Sequence, residues 1–186
     1  MPPKVKITKE DIINTALNIV RKKGVQALNA RAVASVLGCS TQPVFSNFKT
    51  MEELSLAVAD KADELCTQFI EQESASGKYP VYKASGMAYI RFAKEEKELF
   101  KLLYMRDRSK EIIPKDTKLG NQMTDIVQSN TGMDTEEAKL FHLEMWAYVH
   151  GIAAMFATGY LDLDWELVSR MLTDAYQGLR KQFEAE

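Results

Sequence analysis

Between Asn29 and Leu54 the chain reads NARAVASVLGCSTQPVFSNFKTMEEL, and one glycine inside it narrows the local choices. Asn29 is a good helix N-cap. The alternation of Ala and Val that follows runs to Leu37, and Gly38 stops it, because glycine takes the left-handed cap conformation without a Cβ penalty. Ser40 is placed to cap a second helix. Pro43 falls in that helix's first turn, where a missing N–H costs nothing. Two short helices joined by a turn of about three residues containing glycine form a helix-turn-helix. The second begins with Thr41 and Gln42 and then turns apolar at Val44, Phe45 and Phe48. Such a helix directs its start outward, as a reader of base edges must, and packs inward along the rest.

The remaining chain favours helices too. Its 186 residues include only 9 glycines and 5 prolines, too few for the turn punctuation a sheet needs every ten residues or so. The length suits one or two small domains with a proper core. No apolar run approaches the ~18 residues of a membrane span. The N-terminal MPPKVKITKEDI has lysines but no apolar region or cleavage site, which argues against a signal peptide. Cys39 and Cys66 lack a paired zinc spacing and read as two reduced thiols of a cytoplasmic protein.

The formal charge of −2 says little, but its distribution is informative. Residues 1–50 carry eight basic side chains against two acidic ones, a net +6. The other 136 carry sixteen against twenty-four, a net −8. A basic small domain on an acidic larger one is the asymmetry expected when one end meets a polyanion.

Along the chain, Thr8 with Asp11 predicts a capping box for a first helix, with apolar Ile12, Ile13, Ala16, Leu17, Ile19 and Val20 on one side. Arg21, Lys22 and Lys23 suit the negative end of its dipole, and Gly24 ends it. Lys4 and Lys6 precede it on a short arm. Thr50 with Glu53 begins a long helix to about Glu73, with Leu54, Val58, Ala62, Leu65, Phe69 and Ile70 in its stripe. Pro80 opens the next, the charged patch Lys94 to Glu98 marks a bend, and Pro114 breaks a connection over residues 106–116. Leu119, Met123, Ile126 and Val127 mark a further helix ending near Gly132. Asp134 with Glu137 starts a strongly apolar helix to about Thr158, and Leu167 to Phe183 forms the last. These two carry more apolar surface than single neighbours cover, which makes them the expected symmetric dimer contact, through Ala153, Ala157, Val168, Leu172, Tyr176 and Leu179.

Residues Ile7 to Leu54 resemble the DNA-binding domain of TetR-type transcriptional repressors. That pattern has a glycine after the first helix, I-A-x-x-x-G in the second, and V-S-x-x-x-L-Y-x-H-F in the third. Gly24, Val33, Ala34, Gly38, Cys39, Ser40, Val44, Phe45, Asn47, Phe48 and Leu54 stand here in matching order and spacing. Phe45 replaces the usual tyrosine, Asn47 the histidine and Met51 the lysine. The first change removes a hydroxyl that would reach a phosphate, and the last a positive helix-start contact. Trp146, His150 and Gly151 look like the C-terminal domain of one TetR subgroup. The resemblance implies an all-α fold, with a three-helix helix-turn-helix domain over 1–50 and a larger helical bundle over 51–186 that binds ligand and dimerises. It also implies a homodimeric, ligand-responsive repressor of a near-palindromic double-stranded operator, nucleoid-associated when bound, with a small apolar or amphipathic effector.

Candidate DNA contacts follow from side-chain chemistry. Gln42 suits an adenine edge, and Thr41 a thymine methyl or a phosphate. Ser46 and Asn47 suit the backbone, as do Lys49, Arg31 and the helix start at Asn29. Ser40 serves as cap or contact, while Val44 and Phe45 read as packing. The effector residues implied by the resemblance are Phe69, Tyr89, Phe92, Phe100, Tyr104, Met123, Met145, Trp146 and His150, the adaptable lining of an apolar pocket. No catalytic, cofactor or metal site is expected. His142 and His150 lie eight apart, not the four of a helical zinc pair, and no nucleophile elbow, phosphate loop or dinucleotide fingerprint occurs. The competing reading is a helical interaction module whose helix-turn-helix is only structural.

Overall fold

The computed structural model describes residues 7–106 and 118–183. The arm with Lys4 and Lys6 and the expected break at Pro114 lie outside them. Among the described residues the regular structure is entirely helical: α1 Lys9–Lys23, α2 Ala30–Leu37, α3 Gln42–Asn47, α4 Met51–Ala75, α5 Val81–Glu95, α6 Lys97–Tyr104, α7 Lys118–Thr131, α8 Thr135–Thr158 and α9 Trp165–Phe183, with one 3₁₀ turn at Val25–Ala27.

By packing, the chain divides into two compact units. One holds residues 1–67 and 96–106, the other 68–95 and 107–186. The dividing line between these packing units falls inside α4, and the first half of α4 and the short α6 belong with the smaller unit.

In the first unit α1 packs against α2, α3 and α6. Thr8 caps α1 as expected: its Oγ1 accepts the Asp11 N–H at 3.1 Å, while the Asp11 carboxylate accepts the Thr8 N–H at 2.9 Å. Such a cap is worth about 1 kcal/mol. Ile12, Ala16, Leu17 and Val20 are buried, and Arg21 reaches Glu96 at 2.8 Å. Leu54, Val58, Ala62, Cys66 and Ile70 recur every four residues along α4 and are all buried. Thr50 caps this helix by accepting the Glu53 N–H at 3.1 Å. The Glu53 carboxylate, however, accepts from the Lys49 N–H at 2.7 Å, one residue earlier than in the usual box. α6 starts anew after Glu96, whose backbone is not helical, within the charged patch where a break is expected.

The second unit is built on α5, which packs against α7, α8 and α9, while α8 also contacts α7 and α9. Gly86 lets these helices close up: a Cβ there would lie 3.0 Å from Leu172 and 3.4 Å from Val149. Asp134 caps α8 with both halves of the capping box, and Asp164 accepts the Leu167 N–H at the start of α9. The buried side of α8 is Ala138, Phe141, Met145, Val149, Ile152, Ala153, Phe156 and Ala157. Val127, Ala138, Phe141 and Met145 form a core cluster against which Tyr82, Tyr176, Leu179 and Phe183 pack. No described helix is long and apolar enough to cross a membrane.

Candidate nucleic-acid interface

α2 ends as the glycine predicts. Gly38 sits at φ 65°, ψ 34°, and the Cys39 N–H donates to the Ala34 carbonyl at 3.0 Å. Asn29 caps α2 by accepting the Ala32 N–H at 2.9 Å. α3 starts later than expected. Thr41, not Ser40, is its N-cap residue, and no side chain caps it. The reason is Pro43: as the second helical residue it has no N–H to give, so one of the two usual targets of a capping oxygen is absent. Ser40 is exposed and precedes the cap position.

On α3, Val44 is buried at 0% and the flanking Phe48 at 1%. Gln42 and Ser46 are exposed, as are Arg31 and Lys49, while Thr41 and Asn47 are half-buried. Ser46 donates to the Gln42 carbonyl at 2.9 Å and Asn47 to the Pro43 carbonyl at 2.8 Å. These bonds tighten the short helix and engage one proton of each side chain. Phe45 departs from its expected packing role: it is 51% exposed and lines a shallow cleft with Asn29, Ala30, Arg31 and Thr41. It stands one turn after Thr41, on Thr41's face of α3, and this spacing was the signal in the sequence. Cys39 and Cys66 are free thiols, and burial pushes Cys66 up to about 12.

The nine expected effector residues divide between the units. Phe100 and Tyr104 belong to the first, with ring centroids 5.0 Å apart. In the second, Phe69 meets Phe92 edge-on at 5.5 Å. Trp146 stacks on His150 at 5.0 Å, and the Tyr89 hydroxyl lies 2.9 Å from His150 Nδ1. Tyr82 and His142 repeat that pairing at 3.0 Å one stage earlier on α5 and α8. Burial holds both imidazoles below the ordinary histidine value. Met145 and Met123 are buried, and Trp146 is 42% exposed. Among the described residues no cluster of His, Cys, Asp or Glu could hold a metal.

Four of the six residues expected at the dimer contact are buried within the protomer. Ala153, Ala157, Val168 and Leu172 are core residues of the protomer, and Tyr176 and Leu179 pack on the Phe141 cluster. α5 covers α8 and α9 on that side. The apolar surface left open on α8 is Leu140, Leu143, Trp146, Tyr148 and Met155, beside the exposed Ala147.

Residues 82–175 match the family model of the tetracyclin repressor-like C-terminal domain. No curated protein matches the sequence. Among solved structures, a protein of unknown function from Rhodococcus sp. RHA1 is similar at TM-score 0.72 and 22% identity, over 98% of both chains. A TetR-like transcriptional regulator from the same organism is similar at TM-score 0.67 and 13% identity, over 100% of this chain and 98% of the other. A TetR family member from Streptomyces coelicolor A3 is similar at TM-score 0.61 and 18% identity, over 90% and 96%.

Proposed function

This chain belongs to the tetracyclin repressor-like family of DNA-binding, ligand-responsive transcriptional regulators, which are not enzymes, and on that premise we propose that it is a homodimeric repressor released or recruited by a small apolar effector. Residues 1–50 act as the DNA-binding head and 51–186 as the effector and dimerisation domain. The observation that carries the reading is α3. Val44 within it and Phe48 just after it are buried, and its first side chain, Gln42, is exposed in a segment of net charge +6. Gln42 pairs with an adenine edge, Arg31 and Lys49 hold phosphates, and two such heads enter successive major grooves of a near-palindromic site.

The effector meets aromatic residues of the second unit, drawn from the Phe69–Phe92 pair and from Trp146 with the Tyr89–His150 pair. Its binding favours one arrangement of the larger domain, and the long helix α4 carries the difference toward the head. Operator and effector affinities then change each other by the same factor. The second copy docks on the open stripe of α8 at Leu140, Leu143 and Ala147.

The test is binding to duplexes enriched from a randomised pool, titrated with salt. Affinity should fall steeply with salt as counterions are released. Gln42→Ala should lose about 1–3 kcal/mol of discrimination at one base pair. Salt-insensitive binding, or specificity unchanged in Gln42→Ala, would refute the reading or Gln42's part in it respectively.

A further inference from the structure

Phe45 faces the wrong way for a core residue. Val44 and Phe48 are buried at 0% and 1%, yet Phe45 keeps 51% of its surface open to water. A phenyl ring left in water gains little from the hydrophobic effect that drives burial, so the fold does not account for it. Nor is the ring isolated. Thr41 precedes it by one turn, and the two line one cleft with Asn29, Ala30 and Arg31 of α2.

The cleft combines two chemistries. The Phe45 ring, the Ala30 methyl and the Thr41 γ-methyl are apolar; the Arg31 guanidinium and the Asn29 amide are polar, and Arg31 is exposed. An apolar patch beside a cation, in a segment of net charge +6, suits a polyanion that also presents an apolar group. Duplex DNA presents one such group in the major groove, the C5 methyl of thymine.

We infer that Phe45 reads a thymine methyl group in the operator, with Thr41 beside it, and so selects bases as well as positioning the head. This rests on the operator-binding reading above. The ring supplies no hydrogen bond, so its selectivity is that of one methyl group removed from water, roughly fourfold per half-site.

Deoxyuridine isolates this contact, because it differs from thymidine only by the missing methyl. Duplexes enriched on the wild-type chain are remade with uracil at one thymine position at a time. At one position per half-site the wild type should bind the uracil duplex roughly fourfold more weakly. Phe45→Ala should bind the thymine and uracil duplexes equally, near the wild type's uracil affinity. A flat uracil scan in the wild type overturns the inference while leaving operator binding intact. So does a Phe45→Ala protein that weakens on both duplexes by one factor and keeps the wild-type scan, because the ring then touches sugar or phosphate. Failure to enrich any duplex overturns the operator reading itself. Circular dichroism of Phe45→Ala should be unchanged, since the ring contributes little to the core.

Discussion

His142 and His150 show how one residue type is placed twice for the same purpose. Each lies on α8 opposite a tyrosine of α5, at 3.0 Å and 2.9 Å. With the imidazole neutral and protonated at Nε2, the tyrosine hydroxyl donates to Nδ1. Desolvation lowers both histidines, and it raises Tyr82, so the uncharged pair is favoured. A folded value below the unfolded one means that the unfolded chain takes the proton more readily. The stabilisation is therefore complete above the unfolded value of about 6.5 and is lost as pH falls through the folded one. Thermal unfolding midpoints should drop on acidification through that window. His142→Gln, which takes up no proton there, should drop less; an equal drop in both proteins would acquit His142. The spacing of eight was legible in the sequence, but its tyrosine partners were not, because they lie about 60 residues away.

At the scale of elements, the helix ends are set by local chemistry. Thr8, Asn29 and Asp134 cap as their side chains predict, because a cap is local chemistry between residues two or three apart. Ser40 failed by the same logic, since Pro43 withheld an N–H. Gly38 offers a clean measurement. It sits in the left-handed region, and a Cβ there would meet nothing within 4 Å. Gly38→Ala should thus cost about 1–2 kcal/mol from backbone strain alone, read as a lower urea midpoint with an unchanged slope. A cost near zero would mean the turn had shifted to a right-handed end, and operator binding should then fall with it.

For the whole molecule, the question is which apolar surface meets a second copy. α8 and α9 both carry apolar side chains, and their pattern alone does not say which of these are spent on the core. Leu172 is 3% exposed and Leu143 is 57% exposed, and the two make opposite predictions. Leu143→Asp should give monomers in sedimentation velocity with little change in melting. Leu172→Asp buries an unpaired charge and should unfold the protomer. Dimers that survive Leu143→Asp would move the interface elsewhere.

What the amino-acid order determined alone is whatever depends on neighbours a few residues apart: the helices, most of their caps, the glycine turn, and the basic end of the chain. Tertiary structure alone decided which side of each helix is spent on the core. That choice turned Ala153, Ala157, Val168 and Leu172 inward and left Phe45 in the open. Periodicity marks an apolar face but not its partner, because the partner is supplied by chain that lies far away in sequence.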